Sequence, residues 1–148
     1  MLNRSWIGHK TPAISTEVEK GQIILFCKAI GETRPIHVDI EVALAAGHRG
    51  LVAPPTFAFC LEMLAGTGDL YPLLERMGLD LGRGVHGEQG FTYHGPIYSG
   101  DVLTFTREIT DIYAKKAGAL EFVTSRSRGV NQLGELVVEL RNVAVGRN

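Results

Sequence analysis

Cysteine is scarce in this chain, and the two that occur, Cys27 and Cys60, lie far apart inside apolar segments. That placement excludes a metal knuckle or a redox pair, and both are expected as core thiols. A surplus of either charge is also missing: the formal net charge is −1, with acids and bases interspersed. Nucleic-acid binding needs a basic stripe or patch, so that class is excluded. Long apolar runs are absent too. Stretches such as Ile23 to Cys27 fall far short of the ~18 residues that mark a membrane span. Met1 to Lys10 lacks the apolar centre of a signal peptide. A cytoplasmic protein with neither a membrane nor a nucleic-acid partner is expected.

The five histidines, His9, His37, His48, His86 and His94, show no i, i+4 pairing and no cysteine cluster beside them, so no metal site is expected. Gly82 to Gly87 fits the glycine pattern of a dinucleotide loop. That mechanism needs a helix start after the glycines, whereas Gln89 to Tyr93 continues as a strand, so the match is rejected. The rest is ordinary: 45% hydrophobic and 21% charged residues in a chain of 148 describe one globular domain spanning 1–148.

Taken in order, the chain places helices first. Pro12 limits any strand between Trp6 and Ile14 to a sheet edge. Thr16 followed by Glu19 has the form of a capping box, opening a helix over about Glu17 to Ile30 that Gly31 stops. Asp39 to Gly47 reads as a short helix with acids in its first turn. Pro54-Pro55 leads into a helix from about Thr56 to Ala65 that is apolar nearly all round, Glu62 excepted. A helix without a polar face must be enclosed by other structure. A break is expected over Gly66 to Gly68, then a short helix over Leu70 to Met77.

Beyond Gly84 the period changes. Leu103 and Phe105 alternate with Thr104 and Thr106, the mark of a sheet with one buried face. Strands are expected over Gln89 to Tyr93, Val102 to Tyr113, Leu120 to Ser127 and Leu136 to Val145, joined as an antiparallel meander. Val138 and Leu140 share one parity, Val143 and Val145 the other, which predicts a bulge in the last strand. His86 and His94 share a parity that would place both on one face. Lys115-Lys116 and Arg126/Arg128 read as solvated positions, with the phosphates of a prosthetic group as the functional alternative. The whole is an α+β domain, its antiparallel sheet curling round a central apolar helix.

One loop carries chemistry. Glu32 and His37 sit in a Gly/Pro-punctuated stretch, Gly31 to Asp39, stiffened by Pro35. A carboxylate and a neutral imidazole on one rigid loop can orient a water and take its proton. The same two residues also describe a helix-cap acid and a packed histidine.

Three blocks carry a resemblance: Ala29 to Asp39, Ala46 to Phe57, and Val85 to Asp101. Together they resemble the MaoC-like dehydratase family, in the branch similar to the N-terminal half of double-hot-dog hydratases. The resemblance implies a single hot-dog domain, a curved antiparallel sheet wrapped around a central helix. It implies (R)-specific hydration of trans-2-enoyl thioesters, or dehydration of 3-hydroxyacyl thioesters, on coenzyme A or acyl carrier protein and without a cofactor. The family motif Gly-Asp-x-Asn-Pro-x-His falls on Gly31 to His37, making Glu32 and His37 the catalytic pair and implying a dimer, with itself or with another hot-dog chain.

The departures from the motif are specific. Glu32 replaces Asp, and Arg34 replaces Asn, where it is expected to meet substrate, as a ligand for a second carboxylate or as an obstruction. Ala53-Pro54-Pro55 stands where active members carry Ala-His-Gly. Pro55 has no N–H for a thioester oxyanion, leaving the Thr56 amide as the nearest donor, with Pro54 and Thr56 at the substrate. Two further readings follow: an acyl-binding subunit whose partner supplies catalysis, and a thioesterase using a lone carboxylate near a helix N-terminus.

Overall fold

The computed structural model describes residues 2–66 and 70–147. Strand β1 (Ile14–Glu17) precedes helices α1 (Lys20–Ile30), α2 (Ile40–Ala45), α3 (Phe57–Gly66) and α4 (Leu70–Arg76). Strands β2 (Gly84–Tyr93), β3 (Val102–Lys115), β4 (Leu120–Val130) and β5 (Leu136–Arg147) follow. They form a five-stranded antiparallel sheet in the order β1-β3-β4-β5-β2, the hot-dog arrangement.

Only β3, β4 and β5 form the expected meander. β2 pairs with β5, from Gly84 opposite Gly146 to Tyr93 opposite Val138, so residues 94–101 cross the sheet to reach β3. This arrangement gives both outer strands of the meander a partner, with β1 on the far side of β3 and Pro12 just ahead of that edge strand. The expected capping box is absent because Thr16 is drawn into β1, opposite Leu103. Helix α1 therefore starts at Lys20, with Glu19 as an N-cap that makes no side-chain capping bond. The expected break extends over residues 67 and 68, which lie outside the described residues.

The expected bulge in the last strand exists, but at its start rather than between Leu140 and Val143: Gly129 faces Val138 and Val130 faces Leu136, leaving Val137 of β5 over. β5 pairs with β4 without a slip from Val138 to Arg147. Another extra residue lies in β2, where His86 faces Ala144 and Glu88 faces Val143, leaving Gly87 over. It shifts the parity of β2, so His86 and His94 face opposite sides. His86 stacks on Phe59 of α3, with ring centroids 5.4 Å apart, whereas His94 binds Glu139 at 3.0 Å. A third bulge, at Thr110 of β3, keeps Ile109 and Ile112 both inward.

Phe57, Ala58 and Leu61 of α3 are buried in one cluster with Leu103, Phe105, Val138 and Leu140 of the sheet. A second cluster joins Leu73, Leu74 and Met77 to Ile109, Ile112 and Val123. The sheet covers one side of α3 only. Phe59, Cys60 and Met63 are half-buried and Leu64 is 54% exposed, so the enclosure expected of so apolar a helix is incomplete in one chain. Among the described residues no helix is long and apolar enough to cross a membrane.

Glu62 reverses the simplest reading of α3. It points into the protein, 7% exposed, where Arg107 Nη2 meets its Oε1 at 2.6 Å and Ser127 donates to the same oxygen. A buried pair of this kind is weak evidence for stability, but removing one partner strands a charge. Glu62→Ala is therefore expected to lose ~3–5 kcal/mol in urea unfolding, and Glu62→Leu with Arg107→Met to recover most of it. A double variant as unstable as the single one would show that the pair itself carries the stability.

Candidate active site

Two local devices hold the loop between α1 and α2. Gly31 ends α1 at φ +72, and the next amide, Glu32 N, donates back to the Cys27 carbonyl at 2.9 Å, the long bond of a Schellman motif. At the other end Asp39 caps α2, its Oδ1 accepting from the amides of Glu41 at 2.9 Å and Val42 at 3.4 Å. Between them Pro35 opens a single 3₁₀ turn, Pro35–His37. The Pro35 carbonyl accepts from the amides of Val38 and Asp39, at 3.0 and 2.8 Å. The turn drives His37 inward, to 2% exposure.

The His37 ring is held by main chain. Its Nδ1 lies 2.6 Å from the carbonyl oxygen of Val52. A carbonyl only accepts, so Nδ1 carries the proton and Nε2 of the neutral ring carries the lone pair. That Nε2 is buried and has no hydrogen-bond partner among the described residues. Leaving a buried polar atom unpaired costs ~1–3 kcal/mol, and such a cost points to a group kept for a ligand or water.

Glu32 is engaged differently. Arg34 grips both its oxygens: Nε lies 3.1 Å from Oε1 and 3.2 Å from Oε2, Nη2 lies 2.8 Å from Oε2, and the Arg34 amide donates to Oε1 at 2.9 Å. These hydrogen bonds, with a smaller contribution from the nearby His37, pull the carboxyl down to about 2. Glu32 is thus ionised across the physiological range, and the departure at Arg34 has a structural meaning, the neutralisation of that carboxylate. Among the described residues no hydrogen bond joins Glu32 to His37.

Val52, which orients His37, lies two residues before Pro54. Pro54 is buried, while Pro55 and Thr56 are exposed. The Phe57 amide donates to the Pro54 carbonyl at 2.9 Å, and the Tyr93 hydroxyl donates to the Pro55 carbonyl. Burial pushes the Tyr93 phenol up to about 12, so it stays a neutral donor. Thr56 is the first residue after the two prolines with an amide proton. Burial also raises both thiols, Cys27 and Cys60, which keeps them protonated and unreactive.

The structure therefore joins Glu32 to Arg34, and His37 to the segment entering Pro54. Sequence reasoning missed Val52 and Tyr93. A main-chain carbonyl leaves no mark in residue types, whereas Tyr93 shares the inward parity of Phe91 and was open to detection on that ground. The Arg34 grip is tested by titration. A carboxyl depressed on folding contributes stability that is present above its unfolded value, roughly 4.3, and lost as pH falls through about 2. Carboxyl-carbon NMR is expected to give a Glu32 midpoint near that low value, and Arg34→Ala to raise it. An ordinary midpoint in the parent would rule the grip out in solution.

A family model described as "FAS1-like, dehydratase domain region" matches residues 5–140. A UPF0336 protein of Saccharopolyspora erythraea is 37% identical over 147 residues, covering 99% of this chain and 92% of that protein. One from Clavibacter michiganensis is 40% identical over 122 residues, 82% of this chain and 79% of that protein. Among solved structures, the C-terminally truncated HadBC (3R-hydroxyacyl-ACP dehydratase) complex of Mycobacterium tuberculosis superposes with a TM-score of 0.79 at 26% identity, over 95% of this chain and 97% of that one. A MaoC-like dehydratase gives 0.83 at 26% identity over 97% of this chain but 43% of its own. A hot-dog sheet, a Pro-x-His turn ahead of a buried helix, and matches over almost the full length agree: this chain belongs to the FAS1-like dehydratase-region family, together with the UPF0336 proteins.

Proposed function

We propose that the chain adds water to trans-2-enoyl thioesters, or removes it from (R)-3-hydroxyacyl thioesters, with His37 as the base. The observation that carries this reading is the buried Nε2, a lone pair with no partner, on a ring whose other nitrogen is fixed as a donor. In hydration Nε2 takes a proton from water as the oxygen bonds to C3 of the enoyl group. The imidazolium then returns a proton to C2 as the electrons fall back from the thioester oxygen. Negative charge on that oxygen is met by the Thr56 amide, immediately ahead of α3.

Glu32 has a supporting part. A carboxylate held near 2 is too weak a base to compete with imidazole, but as an anion it can accept a hydrogen bond from the water and turn its lone pair toward C3. Arg34, Pro54 and Thr56 then line the approach of the thioester, carried by coenzyme A or by acyl carrier protein.

A partner chain of the same fold belongs to this reading. The outward residues of α3, Phe59, Cys60 and Leu64, are only partly covered, and β2 is an outer strand of the sheet. The similar HadBC structure is itself a complex of dehydratase chains. A second reading, an acyl-binding subunit that leaves the chemistry to its partner, is favoured by the neutralised Glu32 and by Pro55, which offers no N–H.

Assays of the purified chain on a panel of enoyl-CoA esters separate the two. Hydration by the chain alone, with kcat reduced about 10²–10⁴-fold in His37→Ala, is the expected result. No activity alone, and full activity in a mixed complex that tolerates His37→Ala, would establish the subunit reading instead.

A further inference from the structure

The described residues include another buried carboxylate, and it stands behind the candidate site. Asp101 is fully buried and makes three side-chain contacts. Arg49 Nη2 lies 2.5 Å from its Oδ1, Gln132 Nε2 donates to the same oxygen at 3.0 Å, and the Tyr98 amide donates to Oδ2 at 2.9 Å. The Arg49 guanidinium also lies over the Tyr98 ring, 4.5 Å from its centre, and the Tyr98 hydroxyl meets His48 Nδ1 at 3.3 Å. A bare carboxylate at this depth would be very costly, so the contacts are a condition of its burial.

What these contacts hold is the segment that orients His37. Residues 48–53 run along residues 97–101 as a short ladder. Leu51 N donates to Ser99 Oγ at 3.0 Å, Ser99 N to the Leu51 carbonyl at 2.9 Å, and Ala53 N to the Ile97 carbonyl at 2.8 Å. The approach is close enough that a Cβ on Gly50 would sit 2.8 Å from the Ser99 carbonyl oxygen. Val52 is then pinned on its other side, its amide donating to the Ile36 carbonyl at 3.1 Å while its carbonyl takes the proton of His37 Nδ1.

We infer that Asp101, through Arg49 and Tyr98, is a positioning residue for His37: it fixes the ladder that presents the Val52 carbonyl, and thereby selects the ring tautomer that leaves Nε2 free. Asp101 touches neither the ring nor the substrate approach. Its influence runs through main chain, from Tyr98 and Arg49 to residues 50–52 and from there to Nδ1. The inference rests on the reading of His37 as the base, but the tautomer is measurable whether or not the chain is active.

The test uses full-length protein labelled with ¹⁵N-histidine. In the parent, His37 is expected to show one tautomer, protonated at Nδ1. In Asp101→Asn the Nδ1 and Nε2 signals are expected to move toward a mixture, and kcat on the enoyl ester used for the parent to fall about 10²-fold with KM little changed. Arg49→Met, at a half-exposed position, is expected to do the same in part, and it decides the question if Asp101→Asn does not fold. Glu62→Gln, in the other buried pair, serves as the control for lost stability and is expected to leave the His37 signals in place. Unchanged His37 signals in a folded Asp101 or Arg49 variant, or an equal change in the Glu62 control, would overturn the inference. An inactive parent with the expected tautomer shifts would instead count against the proposed reaction alone.

Discussion

The arrangement around the candidate site depends on one hydrogen bond, from His37 Nδ1 to the Val52 carbonyl at 2.6 Å. It converts an imidazole that would be free to rotate into a ring with one donor and one acceptor in defined places. Several features elsewhere make sense as conditions for it. The Schellman end of α1 and the Asp39 cap of α2 fix the turn on which His37 sits. The ladder to residues 97–101 fixes the carbonyl it meets. A shift of one ångström at either end would break the bond or turn the ring, a displacement large enough to matter for proton transfer.

Two buried carboxylates share a further constraint. Glu62 with Arg107 ties α3 to the sheet, and Asp101 with Arg49 ties two loops together. Each joins segments far apart in the chain, and each takes additional hydrogen bonds beyond its guanidinium. Apolar contacts are non-directional and tolerate sliding, whereas a charge pair with several satisfied acceptors has one good geometry. The core clusters supply the burial that holds the fold, and these pairs fix how its parts are aligned.

Much of this was legible in the residues, and the failures have physical causes. The extended strands, the apolar helix and the Gly31 stop follow from period and backbone freedom, which act locally. The Thr16 to Glu19 box failed because pairing with β3 outweighed a local capping preference. The partner of β2 and the place of the bulge failed for a related reason: strand order and register are settled between strands, and the alternation along one strand records only the sum. Glu62 was singled out as an exception on an apolar helix, but its inward direction depends on Arg107, 45 residues away. At the site, Glu32 and His37 could be named from the loop. The grip of Arg34 and the role of Val52 could not, since one is a matter of side-chain geometry and the other of main chain.

The two unusual features of the site, a neutralised carboxylate and an unpaired imidazole nitrogen, bear on each other. An ionised Glu32 without Arg34 would be an uncompensated charge in a half-buried loop beside His37. With the guanidinium in place, carboxylate and cation together present little net charge to the imidazole. The cation that weakens Glu32 as a base thus also balances the charge beside the ring. Glu32 and Arg34 therefore act as one unit: the glutamate arm is long enough for both its oxygens to meet the Arg34 side chain two residues away. Among the described residues, the Glu32 oxygens are thus engaged by Arg34 while the buried Nε2 of His37 is left without a partner.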